Sequence, residues 1–320
     1  MTDIALIEAA AARLAGHARR TPMLSSPFLD DLAGRRVLVK AECLQHTGSF
    51  KFRGAWNAIS ALQPSGVIAF SSGNHAQGVA LAARLKGIPA TIIMPSDAPR
   101  IKIENTRALG AEVVLYNRAN EDRDAIGARL AAERGLALIK PFDMAEVIAG
   151  QGTCGLEIAE QAAEHGVETA DVLVCCGGGG LTSGIALALE GRAPGLRARP
   201  VEPEGFDDTA RSLAAGEIRV NARLTGPICD AIVTPRPGEL TWPILKRLCG
   251  PGLVVSEEQA LRAMALAHDR LKIVLEPGGA VALAAALFLP VEGEAVVAVA
   301  TGGNVDREMM QRALSLCGAA

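Results

Sequence analysis

Lys51 stands between two phenylalanines in the segment Thr47-Gly48-Ser49-Phe50-Lys51-Phe52-Arg53-Gly54-Ala55. Apolar surroundings disfavour the ammonium form and lower the amine pKa. A neutral amine can act as a nucleophile or form a Schiff base with a carbonyl compound. A solvated lysine whose stem packs along the rings would look the same in sequence, so this segment alone leaves both readings open. The segment Cys175-Cys176-Gly177-Gly178-Gly179-Gly180-Leu181-Thr182-Ser183-Gly184 is more specific. Four consecutive glycines lose more backbone entropy on folding than a plain turn requires. Between an apolar strand and a helix start they make an anion cradle: bare amides point at a phosphate, and the helix dipole adds favourable potential. The Lys-Ser/Thr ending of a nucleotide-triphosphate loop is missing, and so is a clean G-x-G-x-x-G dinucleotide fingerprint.

Three further segments have the same character. Ser71-Ser72-Gly73-Asn74-His75-Ala76-Gln77-Gly78 lies between a strand and a helix. Its hydroxyls, amide and backbone donors suit a carboxylate at a helix N-terminus, although Ser and Asn are also the usual helix caps. His75 could serve as an acid or base, or as a packed structural histidine. Glu276-Pro277-Gly278-Gly279-Ala280 opens an apolar helix, and Thr301-Gly302-Gly303-Asn304 closes an apolar strand. Both fit the rule that ligands gather at the carboxyl ends of parallel strands.

The elements that must position these segments alternate in kind. Short β-branched runs at 37–39, 67–70, 91–94, 112–116, 172–175 and 295–300 read as buried strands. Stretches rich in Ala, Leu, Glu and Arg at 75–86, 99–109, 122–134, 158–165, 257–272 and 280–289 read as helices. Such alternation predicts parallel sheets covered by helices. Ser256 before Glu257 and Glu258 reads as an N-cap, and Gly87 and Gly110 read as helix stops.

Composition excludes several classes. With 49% apolar and 21% charged residues over 320 positions, the chain is an ordinary globular protein of one or two domains. Net charge is −3 and no Lys/Arg run occurs, which argues against nucleic acid or an anionic membrane as partner. Seven cysteines without a C-x-x-C pattern argue against a zinc site or a disulfide framework, and point to a cytoplasmic location. The N-terminus reads as an amphipathic helix rather than a signal peptide, and the uncharged stretch 172–189 is too glycine-rich for a membrane span. Glycine is in excess, 34 residues against the roughly 22 that average usage would give. The excess matches the glycines of the segments above.

These segments, in this order, resemble those of the fold-type II pyridoxal-phosphate enzymes, most of all the serine/threonine dehydratase and serine racemase branch. The likeness runs from Thr21-Pro22 to Asn304. It rests jointly on S-F-K-x-R-G-A, S-S-G-N-H-A-Q-G, Gly150-Gln151-Gly152-Thr153, the tetraglycine, E-P-G-G-A and T-G-G-N. The resemblance implies an α/β protein of two domains, each a mostly parallel sheet flanked by helices, like the tryptophan synthase β chain. Residues 1–60 and 142–320 would form the large cofactor domain and 61–141 the small one. It implies pyridoxal 5'-phosphate held covalently by Lys51, with Phe50 against the ring and Asn74 on the ring 3-oxygen. Gly177, Gly178, Gly179 and Gly180 would bind the phosphate, and Thr301 would face the pyridine nitrogen. Ser71, Ser72, Gly73, Asn74 and His75 would receive the substrate carboxylate, with Ser72 also able to act on the opposite face of the substrate.

The implied reaction is dehydration of a 3-hydroxy amino acid, L-threonine or L-serine first, to a 2-oxo acid and ammonia, with Lys51 removing the Cα proton. Related readings are a serine racemase, or a dehydratase of 3-phenylserine or 3-hydroxyaspartate. Pro141-Phe142-Asp143-Met144 departs from the usual pattern, so the side-chain pocket can differ from that of a plain threonine enzyme. Glu202 and Asp208, with the main-chain carbonyl of Phe206, match positions that bind Mg²⁺ or Ca²⁺ in some relatives, and hard oxygen ligands suit those ions. A solvated acidic loop is the alternative there. With only a short segment after Thr301, the resemblance predicts the short catabolic type without a regulatory module. Assembly as a homo-oligomer, dimer or tetramer, also follows from the resemblance. Outside the family, a nicotinamide oxidoreductase built on the glycine loop is the competing class. A binding protein without catalysis is disfavoured, because Lys51, Asn74 and Thr301 are all in place.

Overall fold

The computed structural model describes residues 2–317 apart from Ser72, Pro99 and Arg118. The described strands are β1 (Met23–Leu24), β2 (Arg36–Lys40), β3 (Val67–Phe70), β4 (Ala90–Pro95), β5 (Glu112–Tyr116), β6 (Ala137–Leu138), β7 (Ala170–Cys175), β8 (Leu196–Pro203), β9 (Leu253–Val255) and β10 (Ala295–Val299). They form a six-stranded sheet, ordered β1-β2-β10-β7-β8-β9, and a four-stranded sheet, ordered β5-β4-β3-β6. Only β1 runs antiparallel to its neighbour; all other pairs are parallel. Helices cover both faces of such sheets, so the central strands are buried throughout. All five residues of β10 are buried, which is why they read as a continuous apolar run rather than an alternating one.

Caps fix several helix starts. Asp3 and Asp122 accept first-turn amides, and Ser256 forms a capping box with Gln259. Gly87 ends the helix Asn74–Lys86 in the left-handed conformation.

The structure corrects some boundaries. The helix expected at 158–165 is Ala145–Glu164, twenty residues long. Its interior glycines hid it, since glycine weakens an isolated helix. Packing reverses that penalty. A Cβ on Gly152 would stand 2.9 Å from the Gly184 carbonyl oxygen, and one on Gly155 would stand 2.7 Å from Ala188 Cβ. These glycines let the helix lie close against Gly180–Arg192, so part of the glycine excess belongs to helix packing rather than to a ligand. The expected helix 257–272 is α-helical over Glu257–Leu266 and then a π-turn over Ala267–Leu271. Strand β8 escaped sequence reading because Arg197, Arg199, Pro200 and Pro203 mask it. Both arginines pair with Asp171 on the adjacent β7.

Cys175 ends β7 and Thr301 follows β10, both in the large sheet. Phe70, Pro95 and Tyr116 end β3, β4 and β5 in the small one. All five line one cavity, at the carboxyl ends of parallel strands from both sheets.

Candidate active site

The cavity has a volume of about 940 Å³. Lys51 enters it from the first residue of the helix Lys51–Leu62. Its Nζ donates to the Pro141 carbonyl oxygen at 2.9 Å and lies 5.0 Å from the centroid of the Phe50 ring. Burial pulls the amine down to about 8, against opposing pulls from Cys175 and Glu276. Phe52 does not share in this. It turns away, edge-on to His46 and stacked on Trp56, because successive helix residues diverge by about 100°. Of the two phenylalanines, Phe50 is the one beside the Lys51 amine.

The tetraglycine also lines the cavity and leads into the helix Gly180–Arg192. The amides of that first turn have no carbonyl one turn back inside the helix. Gly179, at φ 90°, adopts the left-handed turn that makes the loop. The Gly178 carbonyl accepts from Thr241 Oγ1 at 2.7 Å and from the Gly238 amide at 3.2 Å, so the loop is braced from behind. A Cβ on Gly178 would collide with the Phe142 ring.

Ser71, Gly73, Asn74 and His75 also line the cavity, at the N-terminus of the thirteen-residue helix Asn74–Lys86. Ser71 Oγ accepts the Gly73 amide at 3.1 Å. Ser72 lies outside the described residues. The buried His75 ring makes a 2.8 Å contact from Nε2 to the Ile139 carbonyl oxygen. A carbonyl only accepts, so Nε2 carries the proton. Burial, with Lys51 nearby, lowers His75 to about 3, and Nδ1 has no partner. The neutral ring thus has no N–H left for a carboxylate. Its backbone amide, with those of Asn74 and Ala76, is what this helix start offers an anion.

At the end of β10 the buried Thr301 Oγ1 lies 3.1 Å from Cys175 Sγ. Burial raises that thiol to about 11, so it stays protonated. Beside them Asn74 Nδ2 donates to Glu276 Oε1 at 2.6 Å, and Asn304 Nδ2 donates to Asn74 Oδ1 at 2.7 Å. Cys175 and Glu276 carried no role in the sequence reading. The signal for Glu276 was its place beside a glycine pair; nothing local marked the thiol.

The model for the family described as pyridoxal-phosphate dependent enzyme matches residues 14–302. The chain belongs to the pyridoxal-phosphate dependent enzymes. This enzyme is 45% identical over 305 residues to L-threo-3-hydroxyaspartate ammonia-lyase of Pseudomonas sp, covering 93% of this chain and 94% of that one. Among solved structures it resembles a threonine deaminase of T.th., with a TM-score of 0.90 and 45% identity over 95% of this chain and 99% of that one. It resembles maize serine racemase equally in shape, with a TM-score of 0.90 and 38% identity over 99% of this chain and 98% of that one. The α/β expectation of two mostly parallel, helix-flanked sheets holds, and the family membership removes the nicotinamide reading of the glycine loop. Among the described residues, no helix is long and apolar enough to cross a membrane.

The residues present suit this cofactor. A cavity of this size holds a lysine amine with lowered pKa, an aromatic ring beside it, and a glycine loop at a helix N-terminus. Glu202, Phe206 and Asp208 lie apart from it, all three buried. Glu202 accepts the amides of Thr209 at 3.0 Å and Ala210 at 2.7 Å. Asp208 Oδ1 accepts from Asn221 at 2.5 Å, while Oδ2 has no partner. Burial pushes both carboxyls up, Glu202 to about 8 with Asp208 adding repulsion, and Asp208 to about 7. No group of three or more His, Cys, Asp or Glu side chains is arranged for a metal among the described residues.

Proposed function

We propose that this enzyme dehydrates a 3-hydroxy amino acid, releasing a 2-oxo acid and ammonia. The carrying observation is the Lys51 amine, held at a lowered pKa in one cavity with a phosphate-type amide cradle and a carboxylate-type helix N-terminus. When bound, pyridoxal phosphate supplies an aldehyde for an amine and a conjugated ring that takes up the electron pair left at Cα. Lys51 would hold the cofactor, and its Nζ would be the base that takes the Cα proton. The amides of Gly177–Gly180 would hold the phosphate, Phe50 would pack on the ring, and Asn74 would donate to its 3-oxygen. Thr301 would offer the ring nitrogen a hydroxyl rather than an acid. Ser71, Ser72, Gly73, Asn74 and the His75 amide receive the substrate carboxylate. The 3-hydroxyl then leaves as water, and the released enamine hydrolyses to the 2-oxo acid and ammonia.

L-Threonine and L-serine are the first substrates to assay. A second substrate, 3-hydroxyaspartate, is favoured by Lys102, Arg123 and Arg307, which line the same cavity and suit a second carboxylate, and by the 45% identity to the Pseudomonas enzyme. Serine racemisation and 3-phenylserine dehydration complete the panel. The assay measures 2-oxo acid formation across these substrates, with chiral chromatography of the remaining amino acid. Absence of any 2-oxo acid from the holoenzyme would sink the dehydratase reading; racemisation alone would replace it.

Gly178→Ala is expected to weaken cofactor binding by roughly 10–100-fold, the loss of about one charge-assisted hydrogen bond. The colliding Cβ must displace either Phe142 or the loop. Titration of the apoenzyme with pyridoxal phosphate measures it, and unchanged affinity would remove the loop from the phosphate site.

Glu202, Asp208 and the Phe206 carbonyl form the proposed cation site, supported by the unpartnered Asp208 oxygen. Mg²⁺ or Ca²⁺ there would neutralise two buried carboxylates and stiffen the loop after β8. Millimolar Mg²⁺ or Ca²⁺ is expected to raise the Tm of the wild type by a few degrees, since binding to the native state alone stabilises it. Asp208→Asn should remove that rise; a rise retained in full would refute the site. The two-domain division at 60 and 141, a cytoplasmic location and homo-oligomer assembly go with this proposal. The division is supported by β3 to β6, all within 61–141 and all in one sheet.

A further inference from the structure

We propose that Glu276 is the positioning residue that locks the Asn74 amide with its N–H, rather than its carbonyl, facing the cavity that holds Lys51. The inference rests on Asn74 serving the cofactor ring, and adds what decides which end of its amide is presented.

A carboxamide has one accepting and one donating end, nearly identical in shape. Asn74 Oδ1 accepts from Asn304 Nδ2, whose other bond goes to the Thr47 carbonyl oxygen at 2.8 Å. Asn304 is therefore fixed as a donor. Asn74 Nδ2 donates to Glu276 Oε1. Rotating the Asn74 amide by half a turn would set oxygen against oxygen at Glu276 and nitrogen against nitrogen at Asn304, losing both bonds. Two neighbours thus fix one orientation. That orientation leaves the second Asn74 N–H without a protein acceptor among the described residues, on a side chain that lines the cavity. A ring oxygen needs a donor there.

The backbone explains how Glu276 reaches this place. Its amide donates to the Gly302 carbonyl oxygen at 3.0 Å. A Cβ on Gly302 would overlap Glu276 Oε1 and stand 3.2 Å from Asn74 Nδ2. The segments Glu276-Pro277-Gly278-Gly279 and Thr301-Gly302-Gly303-Asn304 interlock, and the glycine at 302 leaves room for the carboxyl. Glu276 is buried, and burial raises it to about 7, with Asp230 adding to the rise while Asn74, Lys102 and Lys51 oppose it. The thiols of Cys43, Cys175 and Cys229 also face it. Near neutrality Glu276 therefore changes charge, and the ionised form holds Asn74 most firmly.

The test compares wild type, E276Q, E276A, N74A and the double variant E276A/N74A as holoenzymes. The readouts are the visible absorption band of the lysine-bound cofactor from pH 6 to 9 and cofactor affinity in titrations of the apoenzymes. The carboxamide introduced by E276Q retains an oxygen acceptor, so this variant should keep wild-type affinity while losing the spectral step expected of the wild type near pH 7. E276A should weaken cofactor binding roughly tenfold and displace the band as N74A does, and the double variant should add nothing further. Wild-type band and affinity in E276A, beside an altered N74A, would overturn the role of Glu276 and leave the cofactor role of Asn74 standing. An unaltered N74A would overturn the cofactor role of Asn74, and this inference with it. Should E276A fail to fold, the titration of E276Q decides: a step near pH 7 that survives the substitution overturns the proposal.

Discussion

Lys51→Ala is expected to abolish the visible absorption of the purified holoenzyme and to remove turnover. The amine has two duties in the proposed reaction, holding the cofactor and taking the Cα proton. Loss of a positioned base alone lowers a rate by about 10²–10⁴-fold, and loss of the covalent attachment adds to that. An alanine fits the same position without strain, because Lys51 has helical backbone and a side chain directed into open volume. Folding, read by circular dichroism, should be unchanged. Retained absorption and turnover would refute the assignment of Lys51. The shifted pKa adds a sign that can be checked. Only the neutral amine attacks the cofactor aldehyde. Burial holds Lys51 near 8 instead of 10.5, so the apoenzyme should load cofactor faster as pH rises, with the increase centred near 8. The same shift links to stability. The folded state binds fewer protons than the unfolded chain between about 8 and 10.5, so this residue's destabilising contribution is complete below 8 and is relieved as pH rises through that window.

Arg53→Met is expected to lower stability by about 3–5 kcal/mol, the usual result of leaving a buried charge without its partner. Arg53 is 1% exposed and Glu42 is 0% exposed. The guanidinium bonds Glu42 through Nε and Nη2, both at 2.8 Å, and Glu157 through Nη1 at 2.7 Å and Nη2 at 2.9 Å. Lys40, also buried, joins Glu157 from the end of β2. This cluster ties β2, the turn Glu42–Leu44 and the helix Ala145–Glu164 to the helix that begins with Lys51. Burial pushes the Glu42 carboxyl up, but Arg53 and Lys40 outweigh it and hold it below the usual carboxylate range. In the wild type that stability is present above about pH 4.5 and is lost on acidification through the lowered folded pKa. Without Arg53, burial would outweigh the smaller pulls of Lys40 and the Thr21 hydroxyl and favour a protonated Glu42 in the folded state. The variant should therefore lose ground to wild type at neutral pH and recover part of it toward pH 5. Thermal melts at pH 5 and pH 7.5 measure this; equal deficits at both would mean that the unpaired carboxylate is not the cause.

Much of the site was legible because its parts are local. A glycine run, a serine-rich helix start and a lysine next to phenylalanine each occupy a few consecutive residues, and their backbone chemistry follows from residue type. Chain segments with continuous burial, such as β4 and β10, announced themselves by β-branched composition. The helix Ala145–Glu164 did not, because the value of its glycines lies in what sits against them. The aromatic pair around Lys51 misled in the same way: only the helix at 51–62 reveals that Phe52 belongs to the core with Trp56 while Phe50 faces the amine. His75 offered a ring that sequence could assign to a carboxylate, and its bond to Ile139 removed the N–H that this would need.

The sequence by itself determined the family, the alternation of strands and helices, and the lysine and glycine loop at its centre, since each is written in neighbouring residues. Tertiary structure decided how those pieces act on one another. Burial, set by the whole fold, brings the Lys51 amine to about 8 and raises Glu276 to about 7. The closeness of chain at 302 to chain at 276 and 74 decides which way an amide points. Solvation, charge and hydrogen-bond direction depend on distance in space, and no pattern along the chain carries that distance.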